Sequence, residues 1–159
     1  MTKELSRITR DKKIAVIYAA ITLAITVFIF VNSLQNGEDS AKQSDFFVNI
    51  INPIISFFGI TPDEHTVGVF VRKAAHFTEY FVLCATATMF LRVFKNKKLL
   101  FIPPIYCLAV AVTDEFVMQM ITEGRAPQIT DVLIDFSGAL AGLLVVLMLS
   151  KRNKEVKKK

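Results

Sequence analysis

Apolar residues fall into four runs of about twenty, the length at which an α-helix crosses ~30 Å of hydrocarbon. The first run, 14–34, carries no charge between Lys13 and Gln35, and its polar positions are Tyr18, Thr22, Thr26, Asn32 and Ser33. The others cover 69–91, 99–121 and 131–150, each interrupted by ionisable groups toward one end. The pattern predicts an all-α integral membrane protein, a bundle of four transmembrane helices at those positions. The first run exceeds a signal-peptide core and no small-residue cleavage pattern follows it, so it is read as a span. The spans leave no room for a second globular domain, and 1–159 is read as one.

Between the first two spans, the stretch 46–58 is apolar but too short to cross, and it contains Pro53. Its apolar positions fill two adjacent helical rows, a pattern that suits a helix lying in the membrane interface. A shallow re-entrant hairpin over 45–58 fits as well. Such a segment serves as an anchor, or as a lid over an outer site.

Composition supports the membrane class: 53% of the 159 residues are apolar, more than a soluble domain carries easily. Cys84 and Cys107 fall inside spans, where they act as small hydrophobes and say nothing of redox compartment. Fifteen of the nineteen Lys and Arg residues lie in 3–13, 92–98 and 151–159. The positive-inside rule makes all three segments cytoplasmic, which four spans satisfy with both termini inside. The loops 35–68 and 122–130 then face outward and are net acidic. For a bacterium, that is the cell-wall side of the plasma membrane.

A charge at the centre of a span costs roughly 2.5–3.5 kcal/mol on the insertion scale, whereas a Leu returns only ~0.5. Ionisable groups inside spans are therefore the candidates for function. In the second span Arg72, His76 and Glu79 project within about 60° of one another, with Lys73 and Tyr80 on the adjacent stripe. The third carries Asp114, Glu115 and Gln119 near its outer end, and Arg125 follows in the loop. The fourth opens with Asp131 and Asp135 at i and i+4, and the same face continues through Gly138 and Gly142, a GxxxG spacing. These groups are expected to converge in a polar pocket in the outer half of the bundle. The plainer reading is a salt-bridge network that pins the helices, but the number of charges exceeds what pinning needs.

The residues Arg72-Lys73-Ala74-Ala75-His76-Phe77-Thr78-Glu79-Tyr80, then Asp114-Glu115 with Gln119, then Gly124-Arg125, then Asp131 and Asp135, resemble the VanZ-like family in order and spacing. With the four spans, the resemblance covers 14–150. The chain departs from the family pattern at Asn32-Ser33-Leu34-Gln35, where a more serine-rich turn is expected. The resemblance implies a bacterial plasma-membrane protein associated with low-level resistance to teicoplanin, a lipid-tailed glycopeptide that acts at outer-leaflet cell-wall precursors. It does not supply a mechanism.

Three function classes follow. An accessory protein would bind an outer-leaflet lipid-linked precursor, lipid headgroup or lipoglycopeptide, with Arg72, Lys73 and Arg125 holding oxyanions and the carboxylates orienting them. An enzyme acting on a lipid-linked substrate would use His76 as general base, oriented by Glu79 or Asp114. A proton-coupled lipid transporter ranks third, because no polar track continues into the cytoplasmic half; it would require a homodimer. A metal held by His76, Glu79, Asp114 and Asp131 is a variant of the first two, but one histidine is thin support, and neither a stoichiometric metal nor another cofactor is expected. Nucleic acid is not expected as a partner, since the basic tails are flanked by membrane spans and carry no aromatic stacking pattern.

Overall fold

The computed structural model describes residues 2–35, 37–57, 63–94, 96–124 and 126–156. Arg125 and the last residue of 45–58 fall outside them, as do the side chains of most residues in the tails and in 37–43. All regular elements among the described residues are helical: α1 (Thr2–Ser33), α2 (Gly37–Phe57), α3 (Glu64–Arg92), a 3-10 turn (Lys97–Phe101), α4 (Ile102–Thr113), a π-helical turn (Asp114–Met118) and α5 (Ile129–Val156). Four stretches are long and apolar enough to span a membrane: Thr9–Ser33, Glu64–Arg92, Lys98–Met118 and Ile129–Arg152. The chain is a multi-pass membrane protein, and the helices overrun most of the expected span limits because their polar ends continue the helix.

Backbone and hydroxyl groups in such helices must be satisfied without water. The spans do this locally. Thr22 and Thr26 of α1 donate to the carbonyls of Tyr18 and Thr22 at 2.8 and 2.9 Å, and Thr78, Thr86 and Thr113 make the same i to i−4 bond. Thr26 also meets the Tyr106 hydroxyl at 2.7 Å, joining α1 to α4. The Asp63 carboxylate caps α3 by accepting from the Thr66 N–H, and α4 opens on Pro103 and Pro104, where a missing N–H leaves no helical bond unmade.

The segment after α1 does not double back. α2 is one continuous helix through Pro53, so a re-entrant hairpin within Gly37–Phe57 is ruled out. It packs against α3, with Val48 buried and Phe46, Phe47 and Phe57 left exposed.

The third span departs from the expected regular helix over 99–121. It ends early, because the Gln119 N–H donates to the Asp114 carbonyl at 2.9 Å, five residues back, and 119–124 form turns. Gly124 sits at φ 75° within that turn, a left-handed conformation that suits a residue without Cβ.

α3 is the axis of the bundle and touches α1, α2, α4 and α5. Its closest neighbour is α5. A Cβ added to Gly138 would fall on the Phe77 carbonyl, and one on Gly142 on that of Phe81, so the glycine face beds directly onto the α3 backbone. Below these contacts Tyr80, Leu83, Cys84, Cys107 and Ala139 form a solvent-free core, while Val16, Leu23, Phe70, Leu133 and Met148 stand outward as a hydrocarbon-facing surface. Toward the end that carries the basic tails, Arg92 donates to the Val146 carbonyl at 3.1 Å and to Ser150, closing α3 onto α5.

Candidate functional site

The polar residues collect at the opposite end, where the close of α1, the first half of α3, the π turn and the start of α5 meet. The α3 stripe divides there between two sides. Lys73 pairs with Asp131 of α5. His76, one turn further in, brings Nδ1 to 3.5 Å from Asp135 Oδ1, and Asp135 is wholly buried. Glu79 turns toward α1 and accepts from Asn32 Nδ2 at 3.1 Å. Arg72 lies toward α2, and among the described residues no carboxylate lies within ion-pair distance of it.

The π turn explains how two adjacent carboxylates both reach the interior. On a regular helix, neighbours diverge by 100° and one of them would face lipid. The extra residue in the turn resets the phase, and Asp114 and Glu115 are both completely buried. Their roles then differ. Glu115 is saturated: Oε2 accepts from Gln119 Nε2 and Oε1 from the Gln128 N–H, both at 2.5 Å, which ties the turn to the approach of α5. Both oxygens of Asp114 lack a hydrogen-bond partner among the described residues.

Asp114 is not alone in this. Both Asp135 oxygens, His76 Nδ1 and the Tyr80 hydroxyl are also buried without a hydrogen-bond partner among the described residues. One ligating atom each from His76, Asp114 and Asp135 lies within 4.8 Å of the other two. Buried carboxylates left unpaired are costly, and a concentration of them marks a place that water, an ion or a ligand completes.

Two cavities that share lining residues lie beside this cluster, and His76 lines the inner one. The inner one, of about 90 Å³, is lined by Asn32, Ser33, Phe47, Arg72, His76 and Glu79 among others. A wider one, of about 330 Å³, lies between α2 and the first turns of α3, with Asp45, Glu64 and His65 on its walls. Ser44 and Arg72 line both. Phe47 makes α2 one wall of the inner cavity.

The structure therefore brings together Lys73, His76, Glu79, Tyr80, Asp114, Asp131 and Asp135, with Arg72 lining both cavities. Glu115 and Gln119 are consumed in holding the loop. Of the two carboxylates expected to orient His76, Asp114 stands within 4.8 Å of it and Glu79 accepts from Asn32, while Asp135 makes the ion-pair approach to Nδ1. Asn32 and Ser33 are site residues that a charge-based reading passes over, although a polar pair at the end of the cleanest apolar run was a visible signal. Gln128 contributes a backbone N–H and left no such signal.

Among known proteins, the family model described as VanZ/LLP1 matches residues 16–150, a range that holds every residue of the cluster. No curated protein and no solved structure gives a significant match. A family match over most of the chain, four spanning helices and this intramembrane constellation agree, and the chain belongs to the VanZ/LLP1 family of membrane proteins.

Proposed function

We propose that the chain is an accessory protein of a bacterial plasma membrane that binds an outer-leaflet envelope ligand, a lipid headgroup or a lipid-linked cell-wall precursor, and so lowers the action of lipoglycopeptides such as teicoplanin. In this reading the basic segments 3–13, 92–98 and 151–159 are cytoplasmic and the cavities open outward. The observation that carries it is Arg72: a guanidinium with no carboxylate within ion-pair distance among the described residues, lining two cavities walled partly by apolar α2. Such a fork matches phosphate or carboxylate oxygens, while Phe47 offers a surface to an acyl or isoprenoid chain. The acidic wall of Asp45 and Glu64 suits sugar hydroxyls or amines.

In a teicoplanin-susceptible host, expression of the chain is expected to raise the inhibitory concentration. Arg72→Gln returns it to the vector value at unchanged membrane protein level, and Arg72→Lys keeps part of the effect. Full protection by Arg72→Gln would end this reading.

A second reading is favoured by one observation, the approach of Asp135 to His76 Nδ1 beside the inner cavity. The pair becomes a general base with its orienter if the two close to hydrogen-bond distance. An enzyme of this kind would alter a lipid-linked substrate, and lipid mass spectrometry after expression distinguishes the two: a new species that disappears in His76→Gln supports catalysis, and an unchanged lipid profile supports binding alone.

A further inference from the structure

Three helical elements each present one ligating side chain to the same buried point: His76 from α3, Asp114 from the π turn and Asp135 from α5. Both aspartates are completely buried, and all four of their oxygens lack a hydrogen-bond partner among the described residues. Two ionised carboxylates at one spot would need balancing positive charge, and neither neighbouring Lys nor Arg supplies it. Lys73 is paired with Asp131, and Arg72 lies on the α2 side of α3. The remaining acids are also committed, Glu79 to Asn32 and Glu115 to Gln119 and Gln128. His76 can supply one positive charge at most.

We propose that His76, Asp114 and Asp135 form a binding site for one divalent first-row metal ion, Zn2+ or Mn2+. A neutral imidazole with two carboxylates suits these ions, and a double positive charge balances both aspartates. Ligand atoms around a tetrahedral Zn2+ stand about 3.3 Å apart, from metal–ligand bonds of about 2.0–2.1 Å. The His76–Asp135 separation of 3.5 Å is close to that, and Asp114 stands within 4.8 Å of both. Three protein ligands leave at least one coordination position open, and His76 lines the inner cavity beside it. The ligand set differs from the one the spacing suggested, with Asp135 in place of Glu79 and Asp131. The site does not depend on the headgroup-binding reading and is tested apart from it.

The full chain, purified in detergent and stripped with EDTA, is dialysed against Zn2+ or Mn2+ alone and analysed by elemental mass spectrometry and by thermal unfolding. One of the two ions is expected at about one per chain with a raised unfolding temperature. Asp114→Asn and Asp135→Asn each weaken binding about tenfold or more and remove the thermal shift, whereas Asp131→Asn retains both. The wild-type chain alone suffices to refute the site: no stoichiometric uptake of either ion overturns it and leaves the aspartates as proton-carrying or hydrated groups. Uptake that persists unchanged in Asp114→Asn, or in Asp135→Asn where that variant folds, overturns it equally.

Discussion

Glu115 shows how little a charged residue's type says about its task. It looks like a ligand-binding carboxylate, yet both oxygens are spent on Gln119 and the Gln128 N–H. Glu115→Ala would strand a buried donor on Gln119, worth about 1–3 kcal/mol when left unmade, and the part-buried Gln128 N–H, worth less. The expected result is a fall in stability of about 2 kcal/mol or more, read as a lower unfolding temperature in detergent, while Glu115→Gln loses only part of it. An unchanged unfolding temperature for the alanine variant would show that the loop is held by other contacts. At this scale the positions of the site were legible, because an ion within a span is expensive enough to need a reason. The partners were not: Asn32 donating to Glu79, and Asp135 standing beside His76, depend on distances between helices that no spacing along one helix encodes.

The pairing of α3 with α5 makes the glycines of α5 testable as an element. Gly138 and Gly142 meet the carbonyls of Phe77 and Phe81, an i, i+4 match on both helices, with the carbonyl carbon of Phe77 3.0 Å from a Cβ at 138. Gly138→Ala or Gly142→Ala must push the backbones apart, at a cost of about 2 kcal/mol or more. Gly68, in the first turns of α3, meets nothing closer than Val48 Cγ2 at 3.9 Å. There Gly68→Ala is expected to be neutral or to stabilise by up to about 1 kcal/mol through helix propensity. Equal unfolding temperatures for the three variants would contradict the close approach. Hydropathy made the four spans readable, and the GxxxG spacing hinted at a close contact without naming its partner. The π turn was unreadable, because its extra residue is selected by the packing of Asp114 and Glu115 inward, not by any local signal in the run from 99 to 121.

For the whole molecule, α3 joins a fixed half to an open half. Toward the basic tails it is sealed against α5 by Arg92 and by the apolar core, and toward the other end its ionisable stripe opens on α1 and α2. Charge predicts the threading, since three basic segments alternate along the chain with two outer loops that together are net acidic. The claim that most of the account rests on is that the polar hollow beside His76 and Glu79 is reached by water from the side away from those basic segments. Ala75 lines the inner cavity, Val31 of α1 is exposed on the apolar surface, and Asn96 lies in the α3–α4 loop. In a background with Cys84 and Cys107 replaced by Ala, single cysteines at these three positions are treated in intact cells with a membrane-impermeant thiol reagent. Ala75→Cys is expected to react, with Val31→Cys inert and Asn96→Cys reacting only after the cells are opened. A silent Ala75→Cys, or one that reacts only from the Asn96 side, would contradict an outward-opening hollow.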